Sequence, residues 1–418
     1  MLLHEIEDSQ IAAVKLYLHR LSRRVAPGCN GYFTMTLRRA TFVTLSALQG
    51  GYSRCPTRVR GAGTMEIYAM RDFDGHELVV FGHNAGVGLH AIVAVHSTTL
   101  GPAAGGCRMW PYPSTDAAVV DALRLSRGMS YKNAMAGLPF GGGKAVIIGD
   151  ARTQKSPALF EAFGRFVDSL GGRYITAEDV GTTTADMESV RRATSFVSGL
   201  GRKPGEAGGD PGPRTALGVF LGIKAAVKFR LGRTDLNGVS VAVQGVGGVG
   251  YHLCRMLAAE GAHVRVADVR PSAVQRVCDE CKALEVPAER ILLEEVDVFA
   301  PCALGAILNA QTIPRLGATI VAGAANNQLA EDKDGLALQH AGVLYAPDYV
   351  INAGGIISVA REYQGGMSEA EVTAEIYGIP ARLMEIFERA RRENRTTNAV
   401  ADQMAQERIH RSARRMVA

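Results

Sequence analysis

The 418-residue chain has no window of 18 consecutive apolar residues free of charge, so nothing in it reads as a bilayer-spanning helix. Cysteine is sparse as well. The seven cysteines (Cys29, Cys55, Cys107, Cys254, Cys278, Cys281 and Cys302) are odd in number and scattered. That excludes the disulfide framework of a small secreted domain and predicts reduced thiols in a cytoplasmic protein. Cys278 and Cys281 have CxxC spacing, but no second pair completes a zinc set and the segment around them reads as helix, so no metal is expected. Nor does one charge dominate: Lys plus Arg number 46 and Asp plus Glu 41. The small excess is local. Residues 1–64 hold nine basic and three acidic groups, a net of +6, while the remaining 354 carry 37 and 38, a net of −1. A near-neutral body suggests no nucleic-acid surface. The composition, 47% apolar, 21% charged and 6% aromatic, is that of a soluble globular protein of two to three domains and excludes a fibrous or disordered chain.

Segment 1–64 opens with one weak amphipathic run and then becomes rich in Thr, Ser, Gly and Arg, without repeats or low-complexity tracts. Two readings stay open. It is a basic, acid-poor targeting peptide, or a translated upstream region with the true start at Met65, where patterned sequence begins abruptly. On either reading it is an extension outside the fold. From Met65, LVVF (78–81) and AIVAVH (91–96) read as paired strands. Ser114, Thr115 and Asp116 supply helix-start chemistry before AAVVDALRLSRGM. A strand-like AVIIG (145–149) follows three glycines, and a helix near 157–170 and a strand-like RYITAED (173–179) come next. The stretch GRKPGEAGGDPGPR (201–214), with five Gly and three Pro, has the composition of a hinge and is taken as the domain boundary. Beyond it a helix, TALGVFLGIKAAVKF, leads to the apolar strand VSVAVQ (239–244), which lacks polar alternation as buried parallel strands do. Further strands are HVRVAD, VDVFAP (296–301), ATIVAGA (318–324) and VLYAP (343–347), and the last sixty residues read as helical.

Gly245-Val246-Gly247-Gly248-Val249-Gly250 lies between a predicted strand and a predicted helix, and Asp268 ends the next strand 18 residues after the last glycine. In that context GxGxxG is the fingerprint of a dinucleotide site. Gly245 permits the tight turn, Gly247 lets backbone approach the pyrophosphate and Gly250 allows helix to pack on strand, while the helix N-terminus offers N–H groups and partial positive charge. Asp268 can accept both hydroxyls of the adenosine ribose and would repel a 2′-phosphate, so NAD is expected over NADP. Arg270, two residues on, could accept that phosphate and leaves strictness open.

The first half holds GPAAGGCR (101–108), YKNAMAGLPFGGGK (131–144) and AEDVG (177–181), an arrangement of glycines and lysines that packing does not account for. A lysine behind three glycines reads as poorly shielded, and a second ammonium together with partial burial would depress a lysine pKa toward what a general base needs. With TTLGPAAGGCRMWPY, GMSYKNAMAGLPFGGGKAVIIGD, TAEDVGTT, VAVQGVGGVGYHLCR, APCALGA and YAPDYVINAGG, residues 65 to about 415 closely resemble the glutamate, leucine, phenylalanine and valine dehydrogenase family, and most of all its leucine dehydrogenases.

The resemblance implies an α/β protein of two domains. Residues 65–205 would form an N-terminal α/β substrate, catalytic and oligomerisation domain and 206–355 a Rossmann-type, doubly wound NAD-binding domain, with C-terminal helices (356–418) returning to the first. It implies a symmetric homo-oligomer. Lys132 matches the lysine that pairs with the substrate α-carboxylate, Lys144 the lysine that activates the attacking water, and Asp179 the acid that relays protons at the amino group. Gly105 and Gly106 match backbone bordering the substrate, and Thr215, Asn326 and Asn352 match positions near the nicotinamide; as plain turn residues the asparagines would only satisfy backbone. The implied chemistry is reversible oxidative deamination: hydride leaves Cα, water adds to the iminium, and the carbinolamine collapses to a 2-oxo acid and ammonium. Closure of the cleft between domains would exclude water.

In the family's glutamate enzymes a lysine stands where this chain has Ala104, and a serine where it has Val359; without that cation a γ-carboxylate would be buried unpaired. Ala177 and Ile356 line the same region and suit branched aliphatic side chains, whereas leucine enzymes carry leucine at the place of Ala104. Leucine, valine and isoleucine are therefore expected, with phenylalanine as runner-up. A single methylene discriminates by only ~1–3 kcal/mol, so substrates should overlap. Two other classes remain to be distinguished: a catalytically silent NAD-binding protein with a recruiting extension, and an extension that binds nucleic acid through its arginines.

Overall fold

The computed structural model describes residues 66–70, 72–200 and 209–417, with side chains to residue 412. The extension 1–64 and the centre of the hinge, including the 205/206 boundary, lie outside the described residues. Met65–Ala418 form one compact unit.

Two sheets organise it. The first has five strands, β1 (Leu78–Asn84), β2 (Leu89–Ser97), β3 (Ala103–Trp110), β4 (Gly141–Ile148) and β5 (Tyr174–Glu178), in the order β1-β2-β4-β3-β5. β1, β2 and β4 pair antiparallel, and β3 lies parallel to both β4 and β5. Three helices accompany it: α1 (Thr115–Ala136), α2 (Pro157–Asp168) and α3 (Thr184–Arg191). Their starts follow local chemistry, since the Ser114 and Ser156 hydroxyls accept the N–H groups of Ala117 and Leu159, and Thr183 forms a reciprocal capping box with Asp186.

The strand does not begin after the three glycines, as the sequence suggested; they are the first residues of β4 itself. A Cβ on Gly142 would lie 2.1 Å from the Ser130 backbone nitrogen of α1. Close packing of α1 on β4 therefore does require Gly142, and a Cβ on Gly141 or Gly143 would instead meet Ser97 or the Tyr174 ring; one consequence reverses the sequence expectation for Lys144. On a strand flanked on both sides and covered by α1, Lys144 is only 5% exposed.

The second sheet is wholly parallel. β6 (Ser240–Gln244), β7 (His263–Ala267), β8 (Leu284–Glu285), β9 (Val296–Pro301), β10 (Ala318–Val321) and β11 (Leu344–Tyr345) lie in the order β11-β10-β9-β6-β7-β8. Renumbered from β6, that is 3-2-1-4-5-6, the doubly wound dinucleotide-binding order, with its switch point between β6 and β9. Val241, Val243, Val266, Val298 and Ile320 are completely or nearly completely buried, which explains their unbroken apolar runs. The helices are α4 (Gly212–Leu231), α5 (Gly250–Ala259), α6 (Pro271–Cys281), α7 (Asp334–His340), α8 (Asp348–Ile351), α9 (Gly354–Gln364), α10 (Glu369–Ile376), α11 (Ile379–Glu393) and α12 (Thr397–Val417). α4 begins inside the Gly/Pro-rich stretch: Pro213 sits in its first turn, where a missing N–H costs nothing. α12 reaches α1, where Gln406 Nε2 donates to the Tyr131 hydroxyl at 2.8 Å and Arg408 donates to the carbonyls of Ala134 and Met135. The helix that carries Lys132 is thus braced from the chain's far end. No helix among the described residues is long and apolar enough to cross a membrane.

Candidate active site

α1, β3, β4 and the end of β5 meet at one cavity of about 410 Å³, completed by Thr215 of α4, Asn326, and residues of α8 and α9. Its lining includes Lys132, Lys144, Asp179, Gly105, Gly106, Ala104, Ala177, Thr215, Asn326, Asn352, Ile356 and Val359. Twelve positions singled out from motifs hundreds of residues apart are brought to one place.

Backbone packing aims the charged groups. β4 carries Lys144, and the parallel run of β3 beside β5 brings Gly106 opposite Ala177. A Cβ on Gly106 would come within 2.5 Å of the Glu178 carbonyl and 2.8 Å of the Asp179 Cβ, so only glycine lets the loop after β5 fold this close to β3. Lys144 Nζ then lies 2.7 Å from Asp179 Oδ2. Burial pushes the Asp179 carboxyl up, but the Lys144 ammonium and the Arg108 guanidinium outweigh it and hold the group at about 2. Lys132, on the cavity face of α1, is brought down to about 8 by burial, with Asp348 pulling the other way and Lys144 reinforcing the shift. Asn133 Nδ2 donates to the Gly141 carbonyl at 2.6 Å and pins α1 to the start of β4.

Several lining residues were not singled out from sequence. Arg108 lies within the GPAAGGCR motif, and its Nε donates to Asp179 Oδ2 at 3.1 Å. Asp348 lies within YAPDYVINAGG; its carboxylate accepts the N–H groups of Gln328 at 2.9 Å and Tyr349 at 2.6 Å, and burial raises its pKa. Leu125, Gly128 and Met129 also line the cavity. They stand seven, four and three residues before Lys132, so helical periodicity counted back from that lysine would have found them.

The glycine fingerprint forms the turn from β6 into α5. Gly245 has φ +91°, and a Cβ on Gly250 would lie 1.9 Å from the Gly245 carbonyl oxygen, so the last glycine is what lets the helix close on the strand. α5 has no side-chain cap at its N-terminus, which leaves N–H groups for an anionic ligand. Gly247 borders a second cavity of about 350 Å³ with Tyr251, Arg270 and Arg276, while Val249 lines the lysine-bearing cavity, so the turn connects the two. Asp268 is engaged with backbone: it accepts N–H groups from Val246 at 2.8 Å and Arg270 at 2.9 Å, and Arg270 Nε approaches at 3.3 Å. Asn352 Nδ2 donates to the Ala324 carbonyl at 3.0 Å and to Asn326 Oδ1 at 2.8 Å, yet its buried Oδ1 has no partner. A glycine turn under an uncapped helix, an acid at the next strand end and an unpaired carboxamide oxygen on a cavity-lining residue together fit a dinucleotide. Among the described residues no His, Cys, Asp and Glu group is arranged to hold a metal ion, and Cys278 and Cys281 are free thiols on α6.

A doubly wound sheet with this turn, facing a cavity that pairs a buried lysine with a carboxylate, defines a dehydrogenase-type oxidoreductase. The chain belongs to the Glu/Leu/Phe/Val dehydrogenase family. The family's dimerisation-domain model matches residues 82–196, and the Glutamate/Leucine/Phenylalanine/Valine dehydrogenase model matches residues 265–416. It is an amino-acid dehydrogenase, similar to the leucine dehydrogenase of Geobacillus stearothermophilus, with 51% identity over 82% of this chain and 94% of that protein. It is also 45% identical to the phenylalanine dehydrogenase of Bacillus thermotolerans, over 81% of this chain and 90% of the relative. Among solved structures, the L-tryptophan dehydrogenase from Nostoc punctiforme superimposes with a TM-score of 0.72 at 47% identity, covering 81% of this chain and 97% of that one.

Proposed function

We propose that this chain catalyses the NAD-dependent, reversible oxidative deamination of branched-chain aliphatic L-amino acids, leucine, valine and isoleucine, to 2-oxo acids and ammonium. The observation that carries the reading is the meeting of Lys132, Lys144 and Asp179 in one cavity whose wall at Ala104, Ala177, Ile356 and Val359 is apolar. Lys132 binds the substrate carboxylate as an ammonium. Asp179, held ionised, accepts a proton from the substrate amino group, so that the nitrogen lone pair can push hydride from Cα. A dinucleotide would be held by the β6–α5 turn and Asp268, with its nicotinamide beside Thr215, Asn326 and Asn352, where it would supply the hydride acceptor. Lys144 takes a proton from the water that adds to the iminium carbon, and Asp179 returns a proton to the departing amine. The low exposure of Lys144 supports the exclusion of bulk water from this step.

Glutamate is disfavoured because Ala104 and Val359 give its γ-carboxylate no cation. A second reading, an aromatic amino acid, has support of its own: Ala104 is small, Phe140 and Tyr363 line the cavity, and relatives named for phenylalanine and tryptophan are nearly as similar as those named for leucine. The chain is proposed to work in the cytoplasm as a homo-oligomer. The deciding experiment is a kcat/KM panel with L-leucine, L-valine, L-isoleucine, L-phenylalanine, L-tryptophan and L-glutamate, followed at the NADH band. The aliphatic substrates should lead and glutamate should give no turnover; NADH binding without turnover on any of them would leave only a silent binding protein.

A further inference from the structure

α8 is a single turn of four residues that follows Pro347 and has no side-chain cap, and its first two residues, Asp348 and Tyr349, line the catalytic cavity. So short a helix holds little orientation through its own hydrogen bonds, and ties to other elements set where these side chains stand. One tie is local: Asp348 accepts the N–H group of Gln328 at 2.9 Å. The other comes from the far end of the chain. The Tyr349 hydroxyl donates to Asp402 Oδ1 of α12 at 2.7 Å. Four residues on, and therefore on the same face of α12, Gln406 donates to the hydroxyl of Tyr131, the residue before Lys132. α12 thus grips α8 beside Asp348 and α1 beside Lys132.

The spacing of those two elements matters because Asp348 and a substrate carboxylate compete for one ammonium. Asp348 supports the charge of Lys132 across the cavity, yet among the described residues no ion pair joins the two. A charge pair strengthens as it shortens, most of all where water is excluded. Were α8 to move toward α1, Asp348 would take the ammonium for itself; were it to move away, the wall beside Lys132 would open to water.

We infer that Asp402 is a positioning residue: by holding the Tyr349 hydroxyl it fixes α8 at the distance from α1 at which Lys132 stays available to the substrate carboxylate instead of pairing with Asp348. The inference rests on the reading of Lys132 as the carboxylate ligand. Its competitor is a plain brace that holds α12 to the body and touches only stability.

The test is KM against kcat in both directions of the reaction, with the intact enzyme at one pH. Asp402→Leu removes the acceptor at similar volume and Tyr349→Phe removes the donor. Each should raise KM about tenfold for the best amino acid of the substrate panel and equally for its 2-oxo acid, since both carry the carboxylate, while kcat and NADH affinity stay within about twofold of wild type. Asp402→Asn keeps an acceptor for the hydroxyl and should keep KM near the wild-type value. Because the two residues act through one bond, the double variant Asp402→Leu, Tyr349→Phe should be no worse than either alone. Arg389→Gln, which removes the paired hydrogen bonds from α11 to Glu407 of α12, is the control for mere loosening and should lower Tm with KM unmoved. A lowered Tm with KM unmoved in both Asp402→Leu and Tyr349→Phe overturns the inference, as does a rise in Arg389→Gln equal to theirs. Should Asp402→Leu fail to fold, Tyr349→Phe decides by the same KM. Lys132→Met separates the two layers: an unchanged KM there sinks the reading of Lys132, whereas a large rise beside an unmoved Asp402→Leu sinks only the role of Asp402.

Discussion

The catalytic cavity and the dinucleotide turn of this molecule are built from different materials. In the cavity the working parts are charges taken out of water: Lys144 is 5% exposed, and the Asp179 oxygen that faces it is shared with Arg108. In the turn the working part is backbone. Gly245 and Gly250 approach so closely that a methyl group on the second would overlap the carbonyl of the first, and Arg270, which pairs with Asp268, is 61% exposed. Coupled buried charges make each ionisation depend on its neighbours. A backbone cradle makes function depend on shape alone. Changes in the cavity should therefore move chemistry and pH dependence while leaving cofactor affinity intact, and changes in the turn should do the reverse.

The largest expected effect is at Lys144. Lys144→Ala should lower kcat by ~10²–10⁴-fold, the range for loss of a general base, while a fluorescence titration with NADH gives the wild-type affinity within about twofold. Turnover near the wild-type level would remove the lysine from the chemistry. Next comes Gly250→Ala, whose Cβ would sit 1.9 Å from the Gly245 carbonyl oxygen. Overpacking there should cost ~1–3 kcal/mol of stability, read as a lower melting temperature. NADH binding should weaken by about tenfold or more, while the pH profile of kcat/KM keeps its shape. A profile that changed in this variant would show the two regions to be coupled and break the contrast.

These two regions were not equally legible in the sequence. The parallel sheet was plain because VSVAVQ, VDVFAP and ATIVAGA are buried on both faces and lack polar alternation, and the spacing from Gly250 to Asp268 placed the turn within it. The strand was expected only from Ala145 and Lys144 was read as poorly shielded, because glycine carries no strand preference and the reason for these three is tertiary: a Cβ on Gly141, Gly142 or Gly143 would meet Ser97, the Ser130 backbone of α1 or the Tyr174 ring. The cation partner of Asp179 escaped for a similar reason. Arg108 sits 71 positions away, and only the pairing of β3 with β5 brings it within hydrogen-bond distance. Lys132, Lys144 and Asp179 could be picked out because whole motifs resemble a family, not because any periodicity marks them. That the Asp268 carboxylate turns onto the Val246 N–H could not be read from spacing at all.

Two smaller effects sharpen the account of the cavity. Lys132 is held at about 8, chiefly by burial, against an ordinary value of 10.5. Its ammonium, and with it the proposed grip on the substrate carboxylate, should be lost as pH rises through about 8, so kcat/KM should fall on that side. The stability sign is opposite. Below about 8 the folded protein bears the cost of a buried ammonium, and between about 8 and 10.5 the unfolded chain binds more protons than the folded one, so this group's contribution to stability rises with pH. A KM for leucine that stayed flat from pH 7 to 10 would remove Lys132 from carboxylate binding. Ala104→Leu should shorten the pocket and cost L-phenylalanine about tenfold more in kcat/KM than L-valine, the scale of one or two methylenes. Equal losses for both substrates would mean that Ala104 does not set pocket depth.

The smallest effect should be at Arg270, an exposed charge beside the turn. The Arg270 side chain approaches Asp268 at 3.3 Å, and ion pairs that face water contribute only ~0–1 kcal/mol. Arg270→Ala should therefore change NADH affinity by less than about fivefold, because the backbone N–H groups of Val246 and residue 270 still orient the Asp268 carboxylate. NADPH is the more sensitive probe. On the proposed reading Asp268 would repel a 2′-phosphate, and Arg270 and Arg276 border the cavity where such a phosphate would be met, so whatever NADPH binding the wild-type protein has should be lost in Arg270→Ala. If NADH itself weakened by tens of fold in this variant, the turn would depend on charge as the cavity does. The contrast between a site built from ionisation and a site built from backbone would then no longer hold.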